Sequence, residues 1–364
     1  MMDTWARYQS LVPKPIRVLL SRLYQIAACT RLSLYQQGYL KSKRVSKPVV
    51  SVGNLTLGGT GKTPFVEYLA RLLQQAGYRT AVISRGYGRQ GSHPLLVSDG
   101  SHILHPDPNI SGDEPLLLAQ HLHGSVIAVG SSRYQTIQLV EATSPCDIYL
   151  LDDGFQHLQI ERTADIVLVD ATNPFGDFAF PPQGTLREPV HSLARASAVV
   201  ITRADRPFDQ FSLEHTIRTI APAAPIFYSY HEMTDVYDPL TGNRLPPQKL
   251  SGLTVLAVCS IGNPFLFYED LCHFQARVIR FVSFRDHHRY TPGDVKHLLQ
   301  EAERSRCQMI VTTEKDWIRL RQVISTPVQV PIYVSRIQAH LDDEARFRQF
   351  LLSHLHSSTN LFSV

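Results

Sequence analysis

The stretch NLTLGGTGKT, residues 54–63, closes on Gly61-Lys62-Thr63 and follows the apolar run Val49–Val52. Glycines at 58, 59 and 61 permit a tight turn whose backbone N–H groups converge on an anion at a helix N-terminus. Lys62 adds positive charge for terminal phosphates, and Thr63 a hydroxyl for Mg²⁺. The predicted phosphate loop comprises Thr56, Leu57, Gly58, Gly59, Thr60, Gly61, Lys62 and Thr63, with Thr56 standing where the usual pattern has its first glycine. Phosphoryl chemistry at such a loop also needs an acid at the end of a neighbouring buried strand. CDIYLLDDGFQH supplies Asp152 and Asp153 directly after Ile148–Leu151, where open α/β sheets bind their ligands. Asp-Asp-Gly is also good turn chemistry, so the pair takes its meaning from the loop. Together they predict a nucleoside triphosphate site.

Four further clusters bear on where the phosphate goes. Thr202-Arg203-Ala204-Asp205 is a degraded version of a guanine-reading Asn-Lys-x-Asp loop, weakened by arginine in the lysine position. SGDEP sets Asp113 and Glu114 at a helix start, where acids often serve only as caps. TLREP offers Arg187 and Glu188 beside a proline, and FRDHHRY gathers Asp286, His287 and His288. A lone histidine is usually structural, but an Asp-His-His run facing a phosphoryl-transfer site is a candidate for acid–base work.

The elements that must hold these residues follow from apolar patterning. Strands are expected at Val49–Val52, Thr80–Ser84, Val126–Val129, Ile148–Leu151, Ile166–Val169, Val199–Thr202 and Ile226–Ser229. Helices are expected at Pro64–Ala76, Glu114–His121 and Ser132–Ala142. Alternation of this kind predicts a parallel sheet with helices on both faces, its apolar strands buried on both sides. Near residue 230 the texture changes to a turn-rich segment with adjacent prolines, read as a hairpin linker over 229–250. Strand–helix alternation then resumes on a smaller scale. The expected organisation is a basic head (1–47), a nucleotide-binding α/β domain (48–228), the linker, and a smaller α/β domain (251–364).

A chain of 364 residues, 43% apolar and 19% charged, is long enough for two domains and too apolar for wholesale disorder. Five scattered cysteines without a C-x-x-C pair signal neither a disulfide framework nor a zinc site. Residues 1–47 carry nine lysines and arginines against Asp3 alone, so in a protein of net charge +4 the remainder is mildly acidic. The head mixes these cations with Ile16, Leu19, Leu20, Leu23 and Ile26. No run approaches the ~20 apolar residues that span a bilayer, and Arg17, Arg22 and Arg31 interrupt any signal-peptide core. Two readings stand for the head: an interfacial helix with arginines among lipid headgroups, or a helix packed on its own domain with its cations solvated.

In order along the chain, SVGNLTLGGTGKTP, SRGYGR, GDEP, LLDDGFQH, NPFGDF…LREP, RADR and FRDHHRYT resemble the tetraacyldisaccharide 4′-kinase (lipid A 4′-kinase) family from about residue 10 to residue 335. The Gly-Asn-Leu-Thr prefix and Asp-Asp-Gly-Phe-Gln-His carry more of this resemblance than the phosphate loop does. It implies a kinase moving the γ-phosphoryl of ATP to the 4′-hydroxyl of a tetraacylated glucosamine disaccharide 1-phosphate, forming lipid IVA in lipid A biosynthesis. It also implies a P-loop NTPase-like α/β/α domain and a smaller α/β/α domain joined by a two-stranded β linker. The N-terminal helix would then sit on the cytoplasmic face of the inner membrane, as a peripheral or monotopic anchor. Neither nucleic acid nor a required protein partner is implied.

Carried over by position, the resemblance gives Lys62 and Thr63 the phosphates and Mg²⁺, and Asp152 and Asp153 metal and phosphate roles. Asp113 becomes the base for the sugar hydroxyl, and His287, following Asp286, orients or tunes it. Gln156, His157, Arg187 and Glu188 fall on motif positions around metal and nucleotide, Glu188 as a metal ligand. The run PFGDFAFPPQGTLREP departs from the family's pattern, with Asp177 in place of asparagine and Gln183 and Thr185 in place of its Pro-Ala-Gly-Pro residues. Two other classes compete: a regulatory P-loop GTPase, and a non-catalytic membrane-associated nucleotide-binding module.

Overall fold

Short runs of Val, Ile and Leu flanked by turn residues become strands covered on both faces. The protein is described here by a computed structural model covering residues 13–325 and 328–359. Its strands are β1 (Val49–Asn54), β2 (Thr80–Ser84), β3 (Leu95–Ser98), β4 (Val126–Val129), β5 (Ile148–Asp152), β6 (Ala164–Asp170), β7 (Ala198–Thr202), β8 (Ile226–Tyr237), β9 (Arg244–Leu245), β10 (Thr254–Cys259), β11 (Arg277–Ser283), β12 (Met309–Thr313) and β13 (Ile332–Leu341). Its helices are α1 (Lys14–Gln36), α2 (Lys62–Gln75), the single turn α3 (Pro108–Ser111), α4 (Asp113–His121), α5 (Arg133–Thr143), α6 (Gln210–Ile220), α7 (Pro264–His273), α8 (Pro292–Arg304), α9 (Glu314–Leu320) and α10 (Glu344–Thr359).

Among the described residues the strands form one continuous sheet, ordered β11-β10-β12-β13-β8-β7-β6-β1-β5-β2-β4-β3, with β9 added to β8. From β8 to β2 the first half is parallel apart from its far edge, where β3 runs against β4. The sequence reading did not anticipate β3, whose four residues are only half covered. β1 lies between β5 and β6, with Val52 beside Asp152. The loop after β1 and the acids after β5 therefore open at the same sheet edge, the ligand-binding end of an open α/β sheet.

The connection expected over 229–250 is built differently. β9 pairs with β8 as a short hairpin, but the halves are joined by an antiparallel ladder between β8 and β13, from Ser229↔Leu341 to Tyr237↔Val334. β8 is twelve residues long, and only Ile226–Ser229 pair with β7, so the rest offers an edge that β13 fills. The 251–364 segment does not stay in the second half either. After β13 the chain returns, and α10 packs on the first half, with Phe347 edge-on to Phe227 (5.1 Å) and Phe65 (5.9 Å) and with Leu351 and Leu355 in the same core.

α1 lies on the first half through a narrow contact: Ser21 and Leu32 are buried, and the Ser21 hydroxyl donates to the Phe180 carbonyl. Ile16, Leu19, Leu20, Leu23 and Ile26 remain exposed, at spacings that set them along one helix face. No helix among the described residues is long and apolar enough to cross a membrane. Residues 1–12 of the basic head, with Asp3 and Arg7, lie outside the described residues.

Candidate active site

The phosphate loop is shaped where the sequence required it. Gly58 (φ 110°) and Gly61 (φ 78°) take the left-handed backbone that disfavours side chains, and Gly61 caps α2. A Cβ on Gly61 would run into the half-buried His231 ring of β8. Thr56 and Thr60 are buried, whereas Leu57 is exposed. The loop is braced from outside by the Leu-Arg-Glu strand: Leu57 N–H donates to Thr185 O (2.6 Å) and Arg187 N–H to Leu55 O (2.7 Å). Lys62 Nζ stands 3.2 Å from Asn54 Oδ1 and 3.6 Å from Asp153 Oδ1. Thr63, half-buried, follows it in the first turn of α2.

The two acids after β5 live in opposite surroundings. Asp152 is buried and accepts one hydrogen bond, from Ser84 Oγ (2.9 Å). Burial, with Glu114 and Asp153 close by, pushes its carboxyl up to about 6. Asp153 sits in a left-handed turn (φ 52°) and accepts from Arg187 Nη1 (2.6 Å). Burial opposes its ionisation, but Lys62 and Arg187 hold it well below the usual carboxylate range. Arg133, buried, adds its guanidinium behind the pair, 3.5 Å from Asp152 O.

Gln156 braces the start of the loop by donating to Asn54 O (2.8 Å), and its own carbonyl accepts from Arg31 of α1 (2.9 Å). His157 is pushed down to about 4 by burial and by the nearby cations Arg133, Arg31 and Arg162, so it is neutral at ordinary pH. Glu188 does not join the carboxylates. The chain bends at Arg187 and Glu188, and Arg187 meets Asp153 while Glu188 meets Arg195 (2.6 Å). Glu188, expected as a metal ligand, is held in this buried ion pair.

The second cluster spans the two halves. Asp113 opens α4 and is buried; Arg319 of α9 donates to it through Nε (2.7 Å) and through Nη2. His287 Nδ1 lies 3.3 Å from Asp113 Oδ2, and His287 Nε2 lies 3.2 Å from Lys315 Nζ. Arg319 Nη2 also lies 3.4 Å from His287 Nδ1, so the imidazole sits between two cations and the Asp113 carboxylate. Burial raises the Asp113 carboxyl, yet the bonds from His287 and Arg319 prevail and keep it low. Lys315 also pairs with Glu114 (3.1 Å) and Asp286 (3.5 Å). Tyr87 of the SRGYGR segment covers the His287 ring at 4.8 Å between centroids. His288 turns away, bonding Asp294 (3.1 Å) and stacking on Phe284.

The two clusters face one space. A Cβ on Gly262, in the second half, would lie 3.1 Å from Gly59 N of the phosphate loop and 3.5 Å from Asp286 Oδ2. Lys315 and Arg319 were not singled out from sequence, although their i, i+4 spacing sets both cations on one helix face. Asn54, Ser84 and Arg133 were also missed, for they carry no signal until the sheet brings β1, β2 and β5 together.

A family model described as Tetraacyldisaccharide-1-P 4′-kinase matches residues 14–356 of the chain. The tetraacyldisaccharide 4′-kinase of Halothermothrix orenii is 37% identical over 322 residues, 83% of this chain and 81% of that protein. That of Syntrophus aciditrophicus is 37% identical over 309 residues, 82% of each. Among solved structures, LpxK from Aquifex aeolicus in complex with ATP superposes with a TM-score of 0.74 at 29% identity, over 93% of this chain and 98% of that one. With its phosphate loop, its acid pair and a match of this extent, the chain belongs to the tetraacyldisaccharide 4′-kinase family.

Proposed function

We propose that this kinase transfers the γ-phosphoryl of ATP to the 4′-hydroxyl of tetraacyldisaccharide 1-phosphate, giving lipid IVA, in the cleft between the phosphate loop and the Asp113–His287 pair. The observation that carries this reading is the close approach at Gly262, whose added Cβ would touch both Gly59 of the phosphate loop and Asp286. The loop amides and Lys62 hold the β- and γ-phosphates, and Arg187 adds charge beside Asp153. The hydroxyl oxygen attacks phosphorus in line, the bond to the bridging oxygen breaks, and ADP leaves. The hydroxyl proton passes to the Asp113–His287 pair. Asp113 is sealed by Arg319 and its carboxyl is held low, a weak base. Asp113 Oδ2 and His287 Nδ1 lie 3.3 Å apart, with Arg319 holding the carboxylate and Lys315 the far ring nitrogen.

Among the described residues no three His, Cys, Asp or Glu side chains converge into a ready metal cage. That fits Mg²⁺, which takes one or two carboxylates and completes its shell with phosphate oxygens and water. Asp152, buried beside two other acids and with a single hydroxyl partner, suits a cation. Thr63, Asp152 and Asp153 would hold it, and it would neutralise charge on the phosphates.

The exposed apolar stripe of α1, flanked by Lys14, Arg17 and Arg22, supports an interfacial helix on the ATP-containing side of the inner membrane. On this reading residues 48–228 bind the nucleotide and 251–341 close the acceptor side, with α10 part of the nucleotide-binding half. The GTPase reading loses its base-reading residue, because Arg203 is buried against Asp170. Replacing Lys62 with Ala tests the nucleotide site: ATP affinity by calorimetry should fall about tenfold or more, and wild-type affinity contradicts it.

A further inference from the structure

The segment Thr202-Arg203-Ala204-Asp205-Arg206 has no part in the chemistry above, yet it lies against the phosphate loop. Arg203 is buried and adopts a left-handed backbone (φ 57°), an uncommon state for a long side chain. That backbone turns its guanidinium inward. One arm pairs with Asp170 at the end of β6, and the other donates to the carbonyl of Gly59. Asp170 is itself fixed, because its second oxygen accepts from Thr172 N–H (3.0 Å) and Thr172 Oγ1 (2.7 Å). One residue earlier, Thr202 Oγ1 donates to the carbonyl of Thr60 (3.2 Å).

Two successive carbonyls of the phosphate loop are thus held from one side. In a trans peptide the C=O and the following N–H point in opposite directions. Fixing the carbonyls of Gly59 and Thr60 therefore aims the N–H groups of Thr60 and Gly61 the other way, into the cradle. At Gly58 and Gly59 an added Cβ would meet open space, while Gly59 is approached from the second half by Gly262. The N–H of Thr60 closes a tight turn on Gly58 O (3.2 Å), and that turn must open for the amide to reach a phosphate.

We propose that Thr202 and Arg203 are positioning residues for ATP, holding the Gly59 and Thr60 carbonyls outward so that the amides of Thr60 and Gly61 face the nucleotide side, the Thr60 amide leaving Gly58 O as nucleotide binds. This rests on the reading of the loop as the ATP site. Neither side chain touches substrate; each acts through the backbone it grips.

Two variants test it, Thr202→Val and Arg203→Lys. Valine keeps the shape of a buried strand residue and removes only the hydroxyl. Lysine keeps the charge that Asp170 needs but lacks the planar fork that reaches two acceptors. ATP affinity by calorimetry and KM for ATP should weaken about threefold or more for Thr202→Val and about tenfold or more for Arg203→Lys. KM for the glycolipid and the unfolding midpoint without nucleotide should stay at wild-type values. A purely structural ion pair would be satisfied by lysine and would not single out ATP. Wild-type ATP affinity in Thr202→Val overturns the proposal, as does an equal loss of glycolipid affinity; if Arg203→Lys fails to fold, Thr202→Val decides alone. Lys62→Ala is the control. Loss of ATP binding there with wild-type binding in Thr202→Val removes only this inference, whereas wild-type binding in Lys62→Ala removes the loop reading beneath it.

Discussion

Asp152 and Asp153 are adjacent in sequence, and their neighbours drive them apart. Lys62 and Arg187 keep Asp153 ionised, while burial beside Glu114 and Asp153 raises Asp152 to about 6. A raised carboxyl favours its protonated form in the folded state, so ionising it between about pH 4 and pH 6 removes stability. Asp152→Asn should therefore unfold a few degrees higher than wild type at pH 7 while losing phosphoryl transfer; a lower midpoint in a thermal scan contradicts the assignment. In the wild type, Mg²⁺-dependent nucleotide binding should weaken as pH falls through about 6, and affinity independent of pH from 5 to 8 would refute this. At the second cluster, Asp113→Asn and His287→Ala should each lower kcat about 100-fold or more, with ATP affinity unchanged. Wild-type turnover in either removes that residue from the reaction.

At the scale of elements, the phosphate loop, the strand ending in two acids and the helix opening at Asp113 were all legible in sequence. Each rests on a local signal: glycines at fixed offsets, an apolar run ending in acids, a cap. Arg319 and Lys315 were not legible, because their partners Asp113 and Glu114 are some two hundred residues away. The Arg195 partner of Glu188 was not legible either. The Leu-Arg-Glu motif names two polar residues, but only the fold sets Arg187 on Asp153 and Glu188 on Arg195. α1 carries its own test. Leu19→Glu with Leu23→Glu places charge on the exposed stripe and should reduce pelleting with anionic phospholipid vesicles several-fold. Phosphorylation of detergent-dispersed acceptor should be unchanged, and undiminished vesicle binding would mean that this face is simply solvated.

At the scale of the molecule, sequence gave the alternation of strands and helices but not the single sheet that unites both halves. A hairpin is visible as a turn between short strands; a ladder between β8 and β13 joins segments about a hundred residues apart and has no local sign. The return of α10 was hidden likewise. A buried ionic cluster also ties the halves: His121 of α4 bonds Glu67 of α2 (2.8 Å) and Glu314 of α9 (3.0 Å), with Arg71 and Arg336 on Glu67 and the Tyr237 hydroxyl on Glu314. Burial acts to lower the imidazole, but the two carboxylates outweigh it and raise His121 to about 9. Its stabilisation, on the order of 2 kcal/mol, is complete below about pH 6.5 and lost as pH climbs through about 9. Urea titrations at pH 6 and pH 9.5 should show this drop in wild type and a smaller one in His121→Gln; equal drops would contradict the role.

The measurement that bears most directly on the central claim is transfer of label from ATP to the acceptor lipid. Purified protein, Mg²⁺ and γ-labelled ATP are mixed with tetraacyldisaccharide 1-phosphate in detergent micelles, and the lipid is extracted. The account predicts label in the lipid with wild type, none above background with Lys62→Ala, and about 100-fold less with His287→Ala. No labelled lipid from a wild-type protein that binds ATP, or full labelling by Lys62→Ala, would contradict it.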